Sequence, residues 1–239
     1  RTDFQISKKG QINLVTEMDL QVEKMIVDRI REDFPKHNIL AEERGNEAGS
    51  EPYKWVIDPL DGTTNYAHGY RFFSVSIAVE FEGQIILGVV YDPVMDELFS
   101  ARIGKGAYLN DKPIHVSAEE QLVDSFLCTG FSYDRKDILR NLRFFERLIL
   151  KCQAIRRDGS AALDMCYVAS GRFDGFWEVS LNPWDVAAGK LIVEEAGGTV
   201  SRMDGSGCTI YDGEIVATNG RIDGVLVEQL TQCIKPTDH

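Results

Sequence analysis

No run of about 18 apolar residues, the length a membrane-crossing helix needs, occurs in the chain. Its opening, RTDFQISKKGQ, lacks the apolar core of an export signal, which leaves export unsupported. The five cysteines (Cys128, Cys152, Cys166, Cys208, Cys233) are odd in number, widely spaced and never arranged as C-x-x-C. This argues against a disulfide framework and a zinc site, and for reduced thiols in a cytoplasmic protein. Basic residues are the minority, 26 Lys and Arg against 38 Asp and Glu, for a net charge of −12. A nucleic-acid partner is therefore not expected, because phosphate neutralisation needs a basic face. Histidine is scarce as well: the four (His37, His68, His115, His239) suggest no serine triad, and no G-x-S-x-G accompanies them. No G-x-x-x-x-G-K-[ST] occurs, so a P-loop is excluded.

What is present suits an ordinary globular protein. The 239 residues, 44% hydrophobic and 27% charged, suffice for a substantial core. Met18, Val22, Met25, Ile26, Ile30 and Phe34 recur at helical spacing over 16–34, with Pro35 as the stop and Thr16–Asp19 as a cap with its acidic partner. Ile39–Ala41 and Trp55–Ile57 read as short buried strands. Phe72–Phe81, Ile85–Asp92 and Glu97–Arg102 read as a meander, with turns at Glu82-Gly83 and Asp92-Pro93. A helix is expected over about 137–152. AIRRDG, FDGFWEV, GTVSRMD and EIVATN follow as strands, with helices at SAALDMCYVAS, at WDVAAGKLIVEEA after the Asn182-Pro183 start, and from about Ile222. Irregular alternation with antiparallel hairpins in the middle implies a layered mixed fold rather than a doubly wound sheet. The expectation is one domain over 1–239, with any subdivision near 118–125.

The informative stretch is WVIDPLDGTTNYAHG, residues 55–69. Asp58 and Asp61 stand three apart and repel unless a cation lies between them or one is protonated. Asp58 is expected to end its strand and project from the sheet edge. Pro59 would then direct the backbone so that the Leu60 carbonyl and the Asp61 carboxylate aim at one point. Glu42-Glu43 after a strand and Asp185 at a helix start complete the acidic set. Magnesium takes oxygen ligands and usually keeps waters, and a carboxylate shared by two cations about 3.5–4 Å apart serves two-metal phosphoryl transfer. Each acid also has a plain structural reading: Asp-Pro and Asp-Gly are turn dipeptides, Asp185 a helix-cap acid, Glu42-Glu43 a solvated pair. Asp61-Gly62-Thr63 does not fit the phosphoaspartyl D-x-D-G-T pattern, because Pro59 stands at the first aspartate.

Taken in order, E-E, then D-P-x-D-x-T after an apolar strand, then W-D-x-A-A-G far downstream resemble the inositol monophosphatase family of magnesium-dependent, lithium-sensitive phosphatases. The likeness runs from NLVTEMD through EIVATNG and includes GVVYDPVMDELFSARIGKGAYLN and GSAALDMCYVASG. It implies an α+β fold, the five-layered αβαβα sandwich of the sugar phosphatases, usually dimeric. By the resemblance, one metal site falls on Glu42, Asp58 and the Leu60 carbonyl, a second on Asp58, Asp61 and Asp185, and a looser third on Glu42 and waters. Thr63 and Asp19 match the pair that polarises the attacking water, with no phosphoenzyme. The Gly62 and Thr63 amides would hold phosphate, and substrate hydroxyls would meet Asp61, Gly159, Ala161, Glu178 and Asp185. The catalytic-loop lysine falls on Lys8 or Lys9, Lys8 having the better spacing. Family members generally carry a further N-terminal helix; here it is either trimmed or absent, which would leave the first layer incomplete.

The implied activity is hydrolysis of a cyclitol or sugar phosphomonoester, inositol 1-phosphate first. Fructose 1,6-bisphosphatase or dual specificity on the same scaffold is the alternative, and a non-catalytic binding protein the reading from another class. Arg156 and Arg157 precede Gly159, and strand alternation lets at most one reach the pocket, Arg157 being the candidate for substrate binding.

Overall fold

The computed structural model describes residues 6–8 and 14–234, with backbone alone for 6–8, 14–16 and 234. An antiparallel pair, β1 (Ile6–Lys8) and β2 (Leu14–Thr16), leads into α1 (Glu17–Asp33). Next come β3 (Asn38–Ala41), β4 (Gly45–Glu47), β5 (Tyr53–Asp61), the short α2 (Thr63–His68) and β6 (Ser74–Phe81). They are followed by β7 (Gln84–Asp92), β8 (Glu97–Arg102), β9 (Ala107–Leu109) and β10 (Lys112–Ile114). The remainder is β11 (Phe126–Thr129), α3 (Arg135–Ile149), β12 (Ala154–Arg156), α4 (Ala161–Ala169) and β13 (Gly175–Val179), then α5 (Pro183–Glu195), β14 (Thr199–Ser201), β15 (Glu214–Thr218) and α6 (Asp223–Ile234). Among the described residues no helix is long and apolar enough to cross a membrane.

Eight strands form one sheet in the order β10-β9-β8-β7-β6-β5-β3-β4, antiparallel except for β3 beside β5. Five form another, β12-β11-β13-β15-β14, in which the first three are parallel. Side chains alternate along each strand and so sort into layers. On β5 and β6, Val56 and Ala78 face the cluster between the sheets, whereas Ile57 and Ile77 face α1 and meet Val27 and Ile30. On the second sheet, Cys128, Phe176 and Ala217 face inward, whereas Leu127, Trp177 and Val216 meet Phe144 and Leu148 of α3 and Leu226 and Leu230 of α6. The inner layer is α4 and α5. Both are wanted apolar on nearly every side, since sheet lies above and below them. The stacking is α1, sheet, α4 with α5, sheet, α3 with α6: the five-layered αβαβα arrangement.

Two expectations change. The strand drawn at Trp55–Ile57 runs from Tyr53 to Asp61, so Asp58 lies within β5 rather than at its end. Pro59 has no N–H to give the ladder, and the register slips there: Asp58 pairs with Ser76 and Asp61 with Ser74, three steps against two. The extra residue is the bulge that turns the carboxylates. Strands β4, β9 and β10 were not expected; each has three residues and little apolar pattern.

Candidate functional site

The bulged end of β5 opens into a cavity of about 250 Å³. Its near wall is β5 and the start of α2, with Asp58, Leu60, Asp61, Gly62 and Thr63. Glu42, just after β3, adds a carboxylate, and Glu178 of β13 and Asp185 of α5 add two more from the second half. Gly159, Ala161 and Arg157, around the start of α4, form the opposite wall. Every predicted site residue lines this cavity except Asp19, which stands behind Thr63, and Lys8. Lys8 sits in β1 opposite Leu14, its side chain outside the described residues, as is the whole of Lys9.

Each acid of β5 and α5 is anchored through one oxygen. Asp58 Oδ1 accepts from the Leu60 amide at 2.9 Å, closing the turn around Pro59. Asp61 Oδ2 accepts from Ser160 Oγ at 2.5 Å and from the Ala162 amide at 2.8 Å, tying the first sheet to the N-terminus of α4. Asp185 Oδ2 accepts from the Asn182 amide at 2.6 Å, half of a capping box on α5. Burial pushes the Asp58 carboxyl well above the usual carboxylate range, and the charges of Glu42, Asp61 and Asp185 add to it. Asp61 is raised to about 6 by burial, held back by its Ser160 and Ala162 bonds. Asp185 is raised to about 8 by burial and by Asp61. Glu178 rises well above its ordinary value through burial and the Asp185 and Asp61 charges. The set carries more negative charge than its surroundings neutralise.

Among the described residues no three of these acids converge on a ready-made metal position. Mutual repulsion and the backbone anchors hold them as an open set around the cavity. Hard oxygens are the only donors, and an open set of hard oxygens suits a divalent cation such as magnesium, which completes its octahedron with water. The residues fit such an ion.

Thr63 Oγ1 lies 3.0 Å from Asp19 Oδ1 and 3.1 Å from the Leu60 carbonyl. Asp19 is in the first turn of α1 and only 1% exposed. The hydroxyl has one proton and two acceptors; the carboxylate is the stronger.

Sequence reasoning missed several residues here. Asn65, 8% exposed, donates through Nδ2 to the carbonyls of Phe72 and Asp158, both at 2.7 Å, and so joins α2 to the loop before α4. Tyr133 and Thr64 share a hydrogen bond of 2.8 Å at the cavity rim. Gly130 leaves the space the Glu178 carboxylate occupies: a Cβ there would overlap it. Ser160, the N-cap of α4, carried a readable signal in Gly-Ser before an Ala-rich helix. The others act across the fold and left no local pattern.

The sequence profile described as the inositol monophosphatase family matches residues 1–235. An inositol-1-monophosphatase of Synechocystis is 47% identical over 98% of this chain and 81% of its own. A Nus factor SuhB of Pasteurella multocida is 42% identical over 98% of this chain and 88% of its own. The solved inositol monophosphatase of Anabaena sp. PCC 7120 superposes with a TM-score of 0.87 at 48% identity, covering 90% of this chain and 86% of that one.

Proposed function

The chain belongs to the inositol monophosphatase family, a phosphoric monoester hydrolase by that membership, and we propose that its substrate is inositol 1-phosphate or a closely related cyclitol or sugar monophosphate. One observation carries the reading: Thr63, with Asp19 hydrogen-bonded behind it, faces the same cavity as Glu42, Asp58, Asp61, Asp185 and the Leu60 carbonyl. Those five groups would hold two or three magnesium ions, which when bound offset charge on the phosphate and make a water nucleophilic at neutral pH.

The protein's own groups do the rest. Thr63 gives its only hydroxyl proton to Asp19, so toward the cavity its oxygen accepts, and it orients a water by that water's O–H. As the water attacks phosphorus, its proton passes to Thr63 while the Thr63 proton passes to Asp19. The ester P–O bond opposite the attacking oxygen breaks, and the departing ring oxygen takes a proton from a solvent water to leave as the free alcohol. The Gly62 and Thr63 amides, at the first turn of α2 where amides lack helical partners, bind phosphate oxygens. Glu178 and the Gly159–Ala161 wall receive the hydroxyls of the ring.

Phosphate release from inositol 1-phosphate, with magnesium and then with a chelator, tests this. Turnover is expected only with the metal, and Asp58→Asn is expected to remove nearly all of it while leaving a cooperative melt. Lithium is expected to inhibit in a way that more substrate does not relieve. Substantial turnover by Asp58→Asn in chelator would overturn the reading.

A further inference from the structure

Among the described residues Arg157 is the one lysine or arginine lining a cavity otherwise edged by carboxylates. Its neighbour Arg156 is turned away, its guanidinium 4.7 Å over the ring of Phe126. Several other arginines are committed to acids: Arg172 to Glu97, Arg140 to Glu214, Arg44 to Glu23. Among the described residues Arg157 has no such bond. It acts on its neighbours only through space, opposing the rise that burial imposes on Glu178, Asp164 and Asp158. The guanidinium lies against the bare face of Gly159, whose φ of +88° no larger residue adopts easily; a Cβ there would stand 3.1 Å from Arg157 Nη1.

A guanidinium with several N–H groups and no acceptor among the described residues presents a forked donor to whatever enters the cavity. It stands on the wall that receives the ring, not at the acidic end that takes the phosphate to be cleaved. We infer that Arg157 is a specificity-determining residue that binds a second anionic group, a phosphate or a carboxylate, on the part of the substrate away from the scissile ester. This rests on the phosphatase reading above and extends its substrate class to sugar or polyol phosphates that carry a second anionic group.

The test compares kcat/KM for fructose 1,6-bisphosphate with that for fructose 1-phosphate, which differs only in the second phosphate. The magnesium-loaded enzyme is used as wild type, Arg157→Ala, Arg157→Lys and Arg156→Ala. The ratio is expected to fall about ten- to hundred-fold in Arg157→Ala, the loss of one charge-assisted anchor. It should recover in part with lysine and stay unchanged in Arg156→Ala. A third arm with 6-phosphogluconate reads whether a carboxylate is taken as well as a phosphate. An unchanged ratio in Arg157→Ala, or equal losses on both fructose esters, overturns the inference and leaves the phosphatase reading standing. If the wild type hydrolyses neither fructose ester, turnover of inositol 1-phosphate decides the phosphatase reading: activity there leaves it standing, and no activity overturns it. Calorimetric titration of fructose 1,6-bisphosphate then decides the arginine: weaker binding to Arg157→Ala supports it, and an equal Kd overturns it.

Discussion

Gly130 shows how a residue without a functional group shapes the site. A Cβ there would overlap the Glu178 carboxylate, and its backbone is not in the left-handed region, so alanine is refused by the neighbour and not by the turn. Gly130→Ala is expected to push Glu178 aside and lower kcat/KM by about 10²-fold, the cost of misplacing a positioning group by an ångström. The melting temperature should change little. Adding the mutation to Glu178→Ala should cost nothing more, since its only route of action is gone; an additive double mutant would count against the argument. Thr63 makes the complementary case. Its hydroxyl has Asp19 behind it, so Thr63→Ala should lower kcat by about 10²–10⁴ with KM nearly constant. Normal kcat with a large rise in KM would reduce Thr63 to a phosphate contact. The acids and Thr63 were legible in the sequence because they fall in short runs of unusual chemistry. Gly130, Tyr133 and Asn65 were not, because each matters only through a partner the fold brings from far along the chain.

Elements were read well where apolar period is strong and poorly where the backbone does something unrepetitive. The helix over 16–34 and the meander were plain. The bulge in β5 was not, because a proline inside a strand looks like the strand's end, yet it is the bulge that turns Asp58 and Asp61 into the cavity. Helix α4 carries a different anomaly. Asp164 is 0% exposed, and neither carboxylate oxygen has a hydrogen-bond partner among the described residues. Burial first, then the charges of Asp158 and Glu178, push its carboxyl well above the ordinary value. Between that ordinary value near 4 and the raised one, the unfolded chain has released a proton that the folded protein keeps. Stability is then full at low pH and falls as pH rises, by about 1.4 kcal/mol for each unit in the window. Asp164→Asn has nearly the same shape and no such slope. Its melting temperature relative to wild type should therefore climb between pH 5 and pH 8, by about 2–4 °C for each kcal/mol recovered. Parallel curves at the two ends of that range would mean that Asp164 is ionised and satisfied.

At the scale of the whole molecule, α4 and α5 lie between both sheets and supply much of the largest core cluster. Neither sheet would keep a core without them, so heat should unfold the protein in one transition with equal calorimetric and van't Hoff enthalpies. The layered class was legible from the mixed alternation of elements; the pairing of strands across the second sheet was not, since it joins segments by long-range contacts. Charge is the other global property. The net charge of −12 is partly concentrated where Glu42, Asp58, Asp61, Glu178 and Asp185 share one cavity. Bringing those carboxylates together costs stability that a bound divalent cation offsets, whereas the unfolded chain spreads them and binds the ion weakly. Magnesium at about 100 times its dissociation constant should add about 2.7 kcal/mol. For a chain of this size that raises the melting temperature by about 5–10 °C over the chelated protein. Sodium chloride at matched ionic strength screens surface charge without entering an oxygen cage, so it should give only a small part of the rise. Asp58→Asn removes the central acid and should lose most of the magnesium-specific gain. An equal rise from sodium chloride, or a full gain retained by Asp58→Asn, would place the ion elsewhere on the acidic surface.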